Sequence, residues 1–200
     1  MSQTILSYRE AREQIRSGDV LLFRREKKWL HYLIAKGTRG EHVHAAMACW
    51  WGPILFCVET IQETGGRAVA LSSQIKIAPN CCDVFRVREE LAPTLHPKVA
   101  IEMMLRNTGT RYGWKKLLSL AWRRLPLVRL FVKTPQREKE AQRWHCSGVV
   151  SEAMRSAGVD LVPNLASWAT TPADLARSAA INYLFTIGEI ETPAHERTSQ

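Results

Sequence analysis

The 200-residue chain is poor in the features that place a protein in a class at sight. No uncharged apolar run approaches the roughly 18 residues of a membrane-spanning helix, which excludes an ordinary transmembrane segment. Between Met1 and Gly18 stand Arg9, Glu10, Arg12, Glu13 and Arg16, with no apolar h-region. A secretory leader is therefore not expected, and the chain reads as cytoplasmic when made. Cysteine is sparse, with five residues at irregular spacing. An odd count without a repeat argues against a disulfide framework and for a reducing compartment. Zinc finds little to hold it. His42-x-His44 resembles a ligand pair, and Cys81-Cys82 with His145-Cys146 could complete a tetrahedral set. Against this, neither C-x-x-C nor H-E-x-x-H occurs, and vicinal cysteines chelate poorly, so no metal or cofactor is expected. Internal repeats and low-complexity tracts are also lacking.

Acidic charge is the scarce sign. Nineteen Asp and Glu stand against 28 Lys and Arg, a net charge of +9, in a chain whose 46% apolar content supports a sizeable core. The excess is local: ten basic residues from Arg111 to Arg143 are opposed only by Glu138 and Glu140. Within this window Trp114, Leu117, Leu118, Ala121, Trp122 and Leu125 recur at helical spacing, with Lys115, Lys116, Arg123 and Arg124 on the other side. The pattern predicts a basic amphipathic arm at about 111–143, on a single domain spanning 1–191, with 192–200 as a flexible tail. Such an arm packs its stripe on the core and leaves a solvated cationic face, or it meets an anionic membrane or cell-wall polymer through those four cations. Nucleic acid ranks last, because the tryptophans and the cations lie on opposite faces and no nucleic-acid motif is present.

Along the chain, Ser7-Tyr-Arg-Glu10 has the form of a capping box, and Gly18 fits a stop. Strands are predicted at 19–24, 42–51, 54–61, 67–71 and 83–87, the second and third joined by a tight Trp-Gly-Pro turn. After about residue 90 the pattern turns helical, with helices at 97–107 and 146–157, the latter closed by Gly158. The architecture implied is α+β, a small antiparallel sheet with helices packed on it.

One segment carries chemistry. Trp144-His-Cys-Ser-Gly-Val-Val places Cys146 at the start of a helix, where unpaired N–H groups and the helix dipole favour a thiolate. The same N–H groups could hold an oxyanion, with small Ser147 and Gly148 leaving room for a substrate. A buried structural cysteine fits that placement too. A nucleophile needs an imidazole and a group to orient it. His145 is a poor base because sequence neighbours on a helix do not face each other. His42 and His44 alternate onto one face of a predicted strand. Glu59 interrupts the apolar run Ile54-Leu-Phe-Cys-Val58, where a carboxylate needs a partner such as an imidazole across the strands.

These residues resemble a known family. Gly18-Asp-Val-Leu-Leu-Phe23, His44-Ala-Ala-Met-Ala, Val58-Glu59 and Cys146-Ser-Gly-Val-Val-Ser-Glu-Ala, in that order, look like the circularly permuted NlpC-type papain-fold cysteine hydrolases. The branch is the YiiX/YebB-like one, related to lecithin-retinol acyltransferase. The resemblance runs from about residue 18 to about 175, with the basic arm unmatched. It implies a permuted papain-like fold, with Cys146 as nucleophile, His44 as base and Glu59 as the polar third member. Glu41 and His42 stand where relatives often carry Ser or Thr, which leaves His42 open as an alternative base. Gly109-Thr-Arg-Tyr112-Gly113 resembles a tyrosine-containing segment of such proteins, so Tyr112 is implied to line the site, with a core tyrosine as the other reading. The activity implied is acyl chemistry through a thioester, foremost hydrolysis of an amide bond in a peptidoglycan peptide. A lipid acyl hydrolase or acyltransferase at a membrane surface is the second reading, and a non-catalytic anionic-surface or nucleic-acid binding protein the third. Without a leader, a cell-wall enzyme would travel with a phage particle or by another route.

Overall fold

The computed structural model of the chain describes residues 3–24, 40–110 and 145–190. The basic window, with Tyr112, Lys115, Lys116, Arg123 and Arg124, and the tail at 192–200 lie outside the described residues.

The chain opens with a short strand β1 (Ile5–Leu6) and a helix α1 (Tyr8–Gln14). The capping box predicted there forms: the Ser7 hydroxyl accepts the Glu10 N–H, and Glu10 Oε2 accepts the Ser7 N–H. Four strands follow, β2 (Val20–Arg24), β3 (His42–Trp51), β4 (Ile54–Ile61) and β5 (Gly65–Ala70), then helix α2 (Leu71–Ile77) and strand β6 (Cys82–Val87). Helices α3 (Pro97–Arg106), α4 (Cys146–Ser156) and α5 (Pro172–Ala176) precede the last strand, β7 (Ile181–Ile187).

The strands form one seven-stranded sheet in the order β1-β7-β6-β2-β3-β4-β5. Every pair is antiparallel except β1 with β7. Both faces are covered, which explains why β2 reads as an unbroken apolar run. Val20 and Leu22 pack with Ala45, Met47, Val149, Val150, Ala153 and Met154, beneath α3 and α4. Leu21 and Phe23 point the other way, to Ala46, Ala48, Leu71 and Ile75, beneath α1 and α2. At roughly 25 cal/mol per Å² of apolar surface, this double burial is the main stabilising contribution of the fold.

The α+β class agrees with the sequence reading, but the sheet is larger than the small antiparallel one expected. Strand material is not confined to the region before residue 90. In β7 the pairing shifts register, Val84 facing Phe185 while Phe85 faces Tyr183, so Leu184 is an extra residue. Ile181 joins the first core and Phe185 and Ile187 the second, and the alternation that would mark a strand is broken. The predicted strand at 67–71 also ends early, since Leu71 begins α2 and buries its side chain from there.

Gly52 and Gly158 hold backbone conformations that favour glycine. Trp51 faces Ile54 across a two-residue hairpin loop, and Gly52 takes φ +56 at its first position. Helix α4 ends in a Schellman motif, the Val159 N–H bonding the Met154 carbonyl and the Gly158 N–H the Arg155 carbonyl, with Gly158 at φ +100. A methyl on Gly158 would also lie 2.2 Å from the Thr94 carbonyl oxygen, whereas one on Gly52 meets nothing within 4 Å. Gly158→Ala should therefore lower the unfolding free energy by about 2 kcal/mol or more, and Gly52→Ala by about 1 kcal/mol. Urea titration checks the order, and equal costs would contradict the packing described at the end of α4.

Candidate active site

Glu59 lies on β4, opposite Ala46 of β3 on one side and Arg67 of β5 on the other, and is only 2% exposed. Both of its oxygens are engaged. Oε1 accepts Arg67 Nε at 2.8 Å, Arg67 Nη2 at 2.6 Å and Gln74 Nε2 at 3.3 Å. Oε2 lies 2.7 Å from His44 Nε2, and the Cys57 thiol approaches it at 3.9 Å. Burial pushes the Glu59 carboxyl up, but the hydrogen bonds and charges of His44 and Arg67 outweigh it and hold the group below its ordinary value. The carboxylate expected to need a partner has a cation on each side.

The two histidines of β3 do not share a face, contrary to the alternation expected from the sequence. Phe23 of β2 faces His44, but Arg24 faces His42, so Val43 is an extra residue between them. The two rings leave the strand in different directions. His44 packs on Phe23, ring centres 5.6 Å apart, and meets Glu59. His42 packs on Phe85 and places Nε2 2.8 Å from Asp83 Oδ2. Asp83 is in turn bound by Arg24 and Thr186, which makes His42 part of a separate buried ion cluster. Only His44 is brought to Cys146.

Cys146 is the first residue of α4 and is 7% exposed. Burial pushes its thiol up, but hydrogen bonding and charge from His145 and His44 hold it well below the ordinary value for a thiol. Burial pulls the His44 imidazole down, and hydrogen bonding and charge from Cys146 and Glu59 more than reverse this, so its pKa is pushed up to about 10. With His44 Nε2 on Glu59, Nδ1 is the nitrogen left for the sulfur. His145 is committed to the fold: Nε2 donates to the Trp168 carbonyl at 2.6 Å and Nδ1 accepts the Gly148 N–H at 3.3 Å, capping the helix. These contacts fix the His145 ring at the start of the helix, whereas His44 comes from a separate strand with a carboxylate on its far nitrogen, the arrangement of a general base.

Ser147 and Gly148 are buried beneath their own surroundings. The Ser147 hydroxyl donates to the Thr170 carbonyl at 2.8 Å. A methyl on Gly148 would lie 3.2 Å from both His145 Cε1 and the Ser167 carbonyl oxygen. Gly148 thus leaves room for the capping ring and the Ser167 backbone, where the sequence reading assigned that room to a substrate. The N–H groups free of intrahelical partners that α4 can turn toward an oxyanion are those of Cys146 and Ser147. Tyr112 lies outside the described residues.

Sequence reasoning missed Arg67 and Gln74. The signal available for Arg67 was its place opposite Glu59, readable only once the register of β4 and β5 is known. Among the described residues no group of three or more His, Cys, Asp or Glu side chains is placed to hold a metal ion, and none of the helices is long and apolar enough to cross a membrane.

Comparison with solved structures finds matching chains. The chain is similar to the crystal structure of the metalloprotein yiiX from Escherichia coli O157:H7, with a TM-score of 0.53 and 15% sequence identity, covering 86% of this chain and 98% of that one. At this identity the likeness shows a shared YiiX-like fold. No family model and no curated protein matches the sequence.

The charge pattern sets a pH dependence for alkylation of Cys146 by iodoacetamide. As pH falls through the lowered Cys146 value the thiolate is protonated and the rate drops; above that value, through neutrality, the rate stays near its maximum. His44→Ala removes the counter-charge and leaves burial unopposed by that imidazole, so the rise should move toward or above the unperturbed ~8.5. Peptide mass spectrometry resolves the sites. Labelling of Cys146 with the pH dependence of an ordinary thiol would contradict the thiolate–imidazolium pair.

Proposed function

We propose that this chain is a cysteine hydrolase with a permuted papain-like, NlpC-type arrangement, acting on the amide bond of a peptide through a thioester. What supports the reading is the chain of contacts from Cys146 at a helix N-terminus, through His44, to Glu59, contributed by α4, β3 and β4. A structural cysteine has no need of a raised imidazole beside it, nor that imidazole of a buried carboxylate on its far nitrogen. The YiiX-like fold agrees with the branch named by the sequence resemblance and bears on the fold alone.

In this mechanism the Cys146 sulfur, as thiolate, attacks the carbonyl carbon, and the carbonyl oxygen takes the negative charge near the leading N–H groups of α4. Collapse forms the thioester and breaks the C–N bond, while His44 gives its proton to the departing nitrogen. A water then loses a proton to His44 and attacks the thioester carbon. The C–S bond breaks, the acid is released and the sulfur returns as thiolate. Glu59 keeps the ring turned with one nitrogen toward the sulfur throughout.

A peptide of the bacterial cell wall is the substrate class favoured. The net charge of +9 suits an anionic polymer, and the family resemblance points to stem-peptide amides. Cys146→Ala should abolish turnover of muropeptides, and Cys146→Ser should lower it by at least about a hundredfold, because a hydroxyl is a far weaker nucleophile at a site tuned for a thiol. Glu59→Gln should lose less than His44→Ala. Chromatography of digested muropeptides provides the readout. Full activity of Cys146→Ala would end the proposal, and turnover of lipid esters in place of muropeptides would move the substrate to the lipid class.

A further inference from the structure

Cys146, His44 and Glu59 do not exhaust the polar cluster to which they belong. Arg67 stands directly across from Glu59 on the neighbouring strand and gives two nitrogens to the same carboxylate oxygen, at 2.8 and 2.6 Å. Gln74 of α2 adds a third donor to that oxygen. The other oxygen is thereby the one presented to His44. Among the described residues, the remaining ionisable groups that face this carboxylate are thiols: Cys57 on β4 and, farther off, Cys82 on β6, both kept neutral by burial. Among the described residues, Arg67 and His44 are the cations around it. The Arg67 side chain is 35% exposed, so its far edge reaches solvent while its inner edge closes over Glu59.

We infer that Arg67 is a positioning residue of this site: it fixes the orientation and the charge of Glu59, and through Glu59 the ring of His44, without touching substrate. The inference rests on the cysteine-hydrolase reading and extends it. The physical reason lies in the proton cycle. His44 must alternate between imidazolium and imidazole during turnover. Each time it hands its proton to a leaving group, a carboxylate paired with His44 alone would be left buried without a counter-charge. Such a carboxyl takes up a proton and stops stabilising the next imidazolium. A guanidinium held by the β4–β5 ladder stays charged at every step and carries Glu59 through the cycle. Two contacts from one planar guanidinium, with a third from Gln74, also hold Oε1 in place and leave Oε2 to His44.

A tether that merely joined β4 to β5 would affect stability and nothing else, so the test reads the state of the sulfur. The pH profile of Cys146 alkylation is measured on the full chain for Arg67→Met and Arg67→Lys, with Glu59→Gln and His44→Ala as references and unfolding midpoints recorded beside them. Arg67→Met should move the half-maximal point upward by about one pH unit, about a tenfold slower reaction on the acid side, in the same direction as Glu59→Gln. Arg67→Lys, which keeps the charge but loses the paired contact, should move it less. An Arg67→Met profile that superimposes on wild type while Glu59→Gln shifts would overturn the role of Arg67 and leave the triad standing. Profiles unmoved by both Glu59→Gln and His44→Ala would overturn the hydrolase reading, and Arg67 with it. Should Arg67→Met fail to fold, Arg67→Gln removes the charge while keeping a hydrogen bond, and a wild-type profile for it overturns the inference equally.

Discussion

The Glu59 carboxylate is buried on an inner strand, where an ionised group persists only if partners meet both oxygens. Those partners come from three neighbouring elements: Arg67 from β5, Gln74 from α2 and His44 from β3. The demand of one buried charge thus ties the hairpin, its neighbouring strand and a helix into one arrangement. It also orients the His44 imidazole, which interacts with Cys146. Removing a partner from such a charge is costly, because what remains is an uncompensated ion in a low-dielectric setting. The charge relation between Cys146 and His44 depends on it: a fixed anion on the far nitrogen of His44 favours the protonated ring, and a protonated ring favours the thiolate.

The helix that presents Cys146 is held with comparable care at both ends. Its start is capped by His145, an unusual residue for the position, whose other nitrogen is anchored on the Trp168 backbone. Gly148 is the residue whose lack of a side chain lets that ring lie against the first turn. At the far end, Gly158 closes the helix in a left-handed conformation beneath Thr94. With Val149, Val150, Ala153 and Met154 buried against the sheet, α4 has little freedom to slide, and the sulfur keeps its place relative to β3.

Much of this was legible in the amino-acid order, for reasons that can be named. The β3–β4 hairpin announces itself by two apolar runs flanking Gly52-Pro53, and α4 by a helical stripe that ends at Gly158. Glu59 stands out because a carboxylate within an apolar run needs a partner. Other features leave no local mark. The extra residue Val43, which sends His42 to Asp83 and His44 to Glu59, breaks no pattern on a strand that is apolar on both faces. Strand β7 was obscured in the same way by Leu184. Arg67 gains its meaning only from the register of β5, and His145 from a backbone carbonyl 23 residues later in the chain. Contacts between distant segments are where a reading of periodicity ends.

The central claim is that Cys146 and His44 exist as thiolate and imidazolium at neutral pH, with Glu59 holding the charged ring. Nitrogen NMR of the His44 imidazole against pH, in wild type and in Cys146→Ala, tests it most directly. The account predicts a ring that stays protonated through neutrality and loses its proton near the value of about 10, with the transition moving to lower pH once the sulfur is removed. A ring that titrates close to the unperturbed ~6.5 in both proteins would contradict it.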